Sequence, residues 1–154
     1  MKNFGWSNKF LLIPLLVFLA YFPSDNEKWN GPMTIEVTAD EYKWTFVYPG
    51  EDGQLNTADD IATEQEFRLP AHSEIILLLK SNDYLYTFSL SDFSAKEMVV
   101  PGLIRRLEFK TNHNGNYELK GDQMCGFTHE SLFGNLKVQS VSHFKKWLIS
   151  EREM

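Results

Sequence analysis

Cys125 is the only cysteine in this chain of 154 residues, and just four histidines accompany it. A lone thiol excludes an internal disulfide framework, so an apolar core must hold the fold, and the thiol itself is left to be buried, ligated or reactive. Basic side chains are scarce too, 15 against 21 acidic ones, for a formal charge of −6. Nucleic-acid backbones demand a basic footprint, so non-specific nucleic-acid binding is excluded. Acidity of this order favours solubility and can steer a basic protein partner. No Ser-His-Asp set, glycine-rich phosphate loop or paired-carboxylate site is legible from spacing, which leaves a self-contained hydrolase or transferase without visible means. What the chain does have is apolar material, 43% hydrophobic and 14% aromatic, enough for the core of one ordinary domain.

The longest apolar run lies near the start, Phe10 to Phe22 in "MKNFGWSNKFLLIPLLVFLAYFPSD", after Lys2 and Lys9. As a helix it spans about 20 Å, short of the roughly 30 Å hydrocarbon layer. Extension back to Phe4, with Lys9 snorkelling and Trp6 and Tyr21 at the interfaces, supplies the missing length. A signal peptide is the competing reading, but cleavage after Ala20 sets Phe18 where a small residue is wanted. The pattern therefore favours an uncleaved anchor over residues 1–22. Lysines before it and acids after it put the remainder outside the cytoplasm, on the periplasmic side.

A polar linker, 23–32, precedes short segments of strand character. In "MTIEVTA" (33–39) Ile35 and Val37 alternate with polar residues, and in "YKWTFVY" (42–48) Tyr42, Trp44, Phe46 and Tyr48 share one face. Then come "EFRLP", "EIILLLK" (74–80), "YLYTFSL" (84–90), "IRRLEFK" (104–110), "NYELK" (116–120) and "NLKVQS" (135–140). Turn residues separate them: Ser81-Asn82-Asp83, Pro101-Gly102 and Asn114-Gly115. Eight short strands predict an antiparallel sandwich over 33–139. The tail, 140–154, predicts a helix with Val141, Phe144 and Leu148 on one face and Trp147 beside them. His72 and His113 fall in turns and His143 on that helix, positions where histidines are ordinarily solvated. Asp52, Asp59 and Asp60 offer calcium-friendly oxygens, without the twelve-residue ligand series and closing glutamate of a calcium loop.

"YELKGDQMCGFTHESLFGNLKV" (117–138) carries Cys125 and, four residues on, His129. A thiol and an imidazole so spaced between two strands resemble the copper loop of a cupredoxin. The order of segments from about residue 33 to 150 resembles the copper domain of cytochrome c oxidase subunit II. "IEVTADEYKWTFVYPG", "LPAHSEIILLLKSNDYLYTFSL", "AKEMVVPG" and "GNYELKGDQMCGFTHESLFGNLKV" each resemble a segment of that family. The resemblance implies an all-β, cupredoxin-like Greek-key sandwich or barrel, with one anchor helix and a short C-terminal helix. It also implies a place in electron transport beside a multi-span haem-copper catalytic subunit of an oxidase or nitric oxide reductase. The membrane and a basic cytochrome c are further implied partners.

The family's ligand loop reads Cys-x3-Cys-x3-His-x2-Met, and an Asp-x-x-His strand supplies a second imidazole. Two thiolates bridge two copper ions there, a donor set that suits both oxidation states. This chain departs from the pattern. Tyr86 stands where the first histidine belongs, Gly121 replaces the first bridging cysteine, and Leu132 replaces the methionine. Cys125, His129 and the backbone carbonyl of Gln123 remain. On this comparison a two-copper centre is not expected. Three readings stay open: a metal-free structural subunit; a carrier of at most one copper held by Cys125, His129 and the Gln123 carbonyl; and an unrelated binding role, such as copper delivery or a scaffold for another envelope protein. For the carrier, a fourth donor would come from Met98, Asp122, Met124, Glu130 or the Tyr86 phenol. The family's tryptophan that receives electrons from cytochrome c corresponds to Tyr42, two residues before Trp44.

Overall fold

The computed structural model describes residues 28–64, 66–123 and 132–153. Ten strands are described in two five-stranded sheets, followed by one helix. The first sheet has the order β3-β2-β1-β5-β8, from Ile61–Glu64, Lys43–Tyr48, Met33–Asp40, Glu74–Ser81 and Arg105–Lys110. The second has the order β4-β10-β9-β6-β7, from Glu66–Pro70, Gly134–Gln139, Gly115–Gln123, Tyr86–Leu90 and Ala95–Val99. Helix α1 spans Val141–Arg152. The apolar run Phe10–Phe22 lies outside the described residues, and no described helix is long and apolar enough to cross a membrane.

Alternation in the sequence becomes alternation in burial. Met33, Ile35, Val37 and Ala39 of β1 face inward, as do Trp44, Phe46 and Tyr48 of β2 and Ile75, Leu77 and Leu79 of β5. Aromatic rings bridge the sheets. Phe46 stacks on Phe67 with centroids 4.3 Å apart, and Trp44 meets Phe88 edge-on at 5.2 Å. Each such ring removes a large apolar area from water, about 2–3 kcal/mol per side chain before the opposing entropy is counted. At the other end of the sandwich, Tyr48 contacts Trp147 of α1 at 5.1 Å, and Trp29 meets Phe144 at 5.7 Å. The helix thereby closes that end, with Val141, Phe144 and Trp147 buried and Leu148 only partly so.

The sheets are mixed, in contrast to the all-antiparallel expectation. β1 pairs with β5 in parallel, and β4 with β10 likewise. The chain changes sheets between those partners, and such returns to a neighbouring position bring strands in parallel. The turn at Asn114-Gly115 is likewise a change of sheet and not a hairpin: β8 pairs with β5, and β9 with β6 and β10, so His113 sits in a link between sheets. Two short strands, β3 and β7, were not legible as separate segments. β6 begins at Tyr86 rather than Tyr84, and Tyr42 leaves the face of Trp44 for a turn with φ 65°.

The acidic loop between β2 and β3 is organised by its own backbone. Asp59 Oδ2 accepts hydrogen bonds from the Glu51 and Asp52 amides, and Asp60 Oδ2 from those of Asn56 and Thr57. The Thr57 hydroxyl, then those amides, hold the Asp59 carboxyl below its ordinary range. Gly50 is required here, because a Cβ at this position would lie 2.0 Å from Asp59 Oδ2. Gly50→Ala is therefore expected to open the loop, seen as faster limited proteolysis within 50–60 and unchanged cleavage elsewhere.

Candidate metal centre

The positions that matter converge at the end of the sandwich where the β1–β2 hairpin, the β5–β6 link and β9 meet. Register decides which side chains face inward. Tyr86 lies opposite Gln123 and Phe88 opposite Gly121, while Thr87 lies between them opposite both Asp122 and Met98. Tyr86 and Phe88 are fully buried; Asp122 and Met98 are on the exposed face. Two of the expected fourth donors, Met98 and Asp122, therefore turn away from the site, because successive strand residues point to opposite faces.

Tyr86 is tied down by hydrogen bonds. Its phenol donates to both Asp83 carboxylate oxygens, at 2.9 and 3.0 Å, and accepts from the Tyr42 amide at 3.3 Å. Asp83 also accepts from the Glu41 amide at 2.8 Å and the Tyr84 amide at 2.6 Å, with the Ser81 hydroxyl more distant at 3.4 Å. Burial raises the Asp83 pKa, but the Tyr84 amide, Tyr86 phenol, Glu41 amide and Ser81 hydroxyl together outweigh it, so the carboxyl titrates below its ordinary range. Burial and the neighbouring carboxylate hold the Tyr86 phenol protonated well above the usual tyrosine range. The network straps down an uncommon hairpin. Glu41 and Tyr42, its two central residues, have φ of 46° and 65°, a conformation ordinarily left to Asn-Gly. Tyr42 further stacks on Tyr84 at 5.5 Å.

Gly121 is wedged. A Cβ there would lie 2.8 Å from the Leu132 carbonyl oxygen, 2.9 Å from Trp44 Nε1 and 3.0 Å from Leu132 Cβ. Those neighbours are fixed to each other, since Trp44 Nε1 donates to the Leu132 carbonyl at 3.1 Å. Leu132 is fully buried. Trp44, Tyr86, Phe88 and Leu132 thus form a packed wall in which only glycine suits position 121. Cys125 and His129 lie outside the described residues. Gln123 is described in its backbone, opposite Tyr86 at the end of β9. Among the described residues no group of three or more His, Cys, Asp or Glu side chains is arranged to hold a metal. The Asp83–Tyr86 pairing was not foreseen. The signal for it was the short spacing of an acid and a tyrosine across a turn, which has meaning only once β6 is known to start at Tyr86. His72 and His113 also meet, with ring centroids 6.0 Å apart. The links that bring them together are joined by Thr111, whose hydroxyl donates to the Pro70 carbonyl and accepts from the Ser73 amide. His143 lies on α1 with Nδ1 2.9 Å from Ser140 Oγ.

Two mixed five-stranded sheets packed on one another, with a helix closing one end, define the cupredoxin-like class of sandwich. Residues 33–141 match the family model for the periplasmic domain of cytochrome c oxidase subunit II, and the chain belongs to that family. The alternative cytochrome c oxidase subunit 2 of Bradyrhizobium diazoefficiens is 24% identical over 140 residues, 77% of this chain and 50% of that protein. Cytochrome c oxidase subunit 2 of Cereibacter sphaeroides is 21% identical over 153 residues, 80% of this chain and 50% of that one. The chain thus spans about half the length of these relatives. In structure, the periplasmic domain of subunit II of cytochrome oxidase from Bradyrhizobium japonicum superposes with a TM-score of 0.68 at 18% identity, covering 81% of this chain and 96% of that one. A chain of a heme-copper terminal oxidase dimer gives 0.52 at 16% identity, covering 71% and 65%. These two likenesses are of fold.

Proposed function

We propose that this protein is a membrane-anchored, extracytoplasmic subunit II-type component of a haem-copper oxidase or nitric oxide reductase complex that forms no two-copper centre. Its role is structural: it caps and docks on the multi-span haem-copper subunit, and electrons reach the haems without passing through this domain. The observation that carries the reading is the wedge at Gly121. A bridging thiolate needs a Cβ at that position, and the space for one is filled by Leu132 and Trp44. The donor chemistry agrees. A phenol that donates to Asp83 and stays protonated is a poor substitute for an imidazole ligand, and leucine has no donor atom. The residues present do not fit a two-copper site.

The test is metal content. The full chain, purified under copper-replete conditions, is expected to carry copper at background level, with no thiolate charge-transfer absorption and with unaltered folding in Cys125→Ser. It is also expected to co-purify from native membranes with a multi-span haem protein. One firmly held copper whose visible absorption disappears in Cys125→Ser would transfer the assignment to a mononuclear carrier using Cys125, His129 and the Gln123 carbonyl. Two coppers per chain would overturn both readings.

A further inference from the structure

Two of the four histidines, 41 positions apart in the sequence, meet in space. His72 lies in the link from β4 to β5 and His113 in the link from β8 to β9, and both links carry the chain from one sheet to the other. Their rings are perpendicular, with centroids 6.0 Å apart. Hydrogen bonds fix the backbone around each. Ala71 and Ser73, which flank His72, are both buried. The Ala71 amide donates to the Gln139 carbonyl at 2.8 Å, and the Ser73 hydroxyl to the Ala71 carbonyl at 2.8 Å. Thr111 joins the two links through its amide as well as its hydroxyl, the amide donating to the Ser73 carbonyl at 3.0 Å. On the other side, the Tyr117 phenol donates to the His113 carbonyl at 2.9 Å. His72 itself has φ of 53°, a left-handed conformation uncommon for a residue with a Cβ.

His72 is partly exposed and His113 exposed, so neither ring is there to fill the core. What the scaffold fixes is their meeting. Imidazole nitrogens hold a zinc-type ion at about 2.0–2.1 Å, which sets two rings sharing one ion about 5–6 Å apart between centroids. The observed separation lies at the open end of that range, and rotation of two surface side chains suffices to aim a nitrogen of each at one point. We propose that His72 and His113 form a two-imidazole site for a borderline divalent ion of the Zn²⁺ class, with water completing the shell. A cavity of about 310 Å³ beside His72 leaves room for that water, and Asn112 and Glu74 line it with further oxygen donors. The Glu74 carboxylate is shared with Lys110 at 2.7 Å. Two protein ligands make a labile site, whose ion exchanges with solution and is lost on purification. It is thereby distinct from a firmly held copper at Cys125 and His129. The two rings are brought together only in the folded chain, so the ion stabilises the fold by clipping the sandwich where both links cross between sheets.

The experiment is a Zn²⁺ titration of the full chain in neutral detergent, followed by calorimetry and by the ¹⁵N resonances of the imidazoles. The His72 and His113 resonances are expected to move together and to saturate with one ion. Affinity at this site is expected to fall at least about tenfold in His72→Gln and equally in His113→Gln, because the second imidazole is no longer presented at high effective concentration. His72→Asn is a second variant that removes the imidazole while suiting the left-handed φ, which guards against a strained or misfolded Gln variant. His143→Gln, on α1, should leave the site unchanged. The denaturant midpoint of wild type should rise with added Zn²⁺, and those of the His72 and His113 variants should not. Movement of only one of the two resonances would overturn the proposal, since it would show two independent surface histidines. So would an affinity left unchanged by either substitution, or Zn²⁺ binding that disappears in Cys125→Ser while the His72 and His113 resonances stay still.

Discussion

Gly121→Cys, which restores the residue the family carries, is expected to destabilise the protein and to add no copper centre. The added Cβ enters a space bounded by the Leu132 carbonyl, Trp44 Nε1 and Leu132 Cβ, all within 3.0 Å. Overpacking of this kind costs about 1–3 kcal/mol. If the strain is relieved by moving Trp44, its hydrogen bond to Leu132 is lost and a buried carbonyl goes unpaired, a further cost of about 1–3 kcal/mol. The sum is a large fraction of the stability of a domain this size. Gly121→Ala isolates the steric part, since it adds the Cβ without a sulfur. Denaturant midpoints of both variants, measured with and without copper, check the expectation. A neutral Gly121→Ala would show that the wall yields, and the argument against a bridging thiolate would then fail.

The second large effect is expected at Asp83. Asp83→Asn removes the charge from a carboxylate that accepts from Glu41, Tyr84 and Tyr86, and hydrogen bonds to charged groups contribute about 1.5–3 kcal/mol. A loss of about 2 kcal/mol at neutral pH is expected. Tyr86→Phe removes the phenol that donates to Asp83 and accepts from the Tyr42 amide at 3.3 Å, for about 1–2 kcal/mol. The two should be strongly non-additive, because each breaks the same bond. The pH dependence has a definite sign. The Asp83 pKa in the folded protein is below its unfolded value near 3.8, so the stabilisation is present in full above that value and is lost as pH falls through the folded pKa. Acid unfolding of Asp83→Asn should accordingly be shallower than that of wild type. Tyr86→His, which reinstates an imidazole, should behave like Tyr86→Phe in stability and should not gain copper. An Asp83→Asn variant with wild-type stability and an unchanged acid limb would mean that the hairpin is held by the Tyr42–Tyr84 stack alone.

These expectations separate what could be read directly from what could not. The inward faces of β1, β2 and β5 were legible because alternation of apolar and polar residues at a period of two is itself the burial pattern. The family was legible because a loop of fixed spacing, 121 to 132, lies among segments in a recognisable order. The substitutions at 86, 121 and 132 were equally plain, since each is a missing donor atom. Their consequences were not. Nothing local to Gly121 says that Trp44, 77 positions earlier, and Leu132 would meet over it and bond to each other. Nor does "SNDYLYTF" show that Asp83 would gather the Glu41 amide, 42 residues away, along with the Tyr86 phenol.

The sequence by itself determined the class of the domain, the inward faces of its longer strands and which ligand atoms are absent from the loop, because periodicity, order and residue type are properties of the chain alone. Only the tertiary structure decided that strands would pair in parallel across the sandwich, that Met98 and Asp122 would face outward, and that position 121 would be shut. Those outcomes depend on contacts between residues far apart in sequence, and register and packing exist only once the two sheets and the helix have closed on one another.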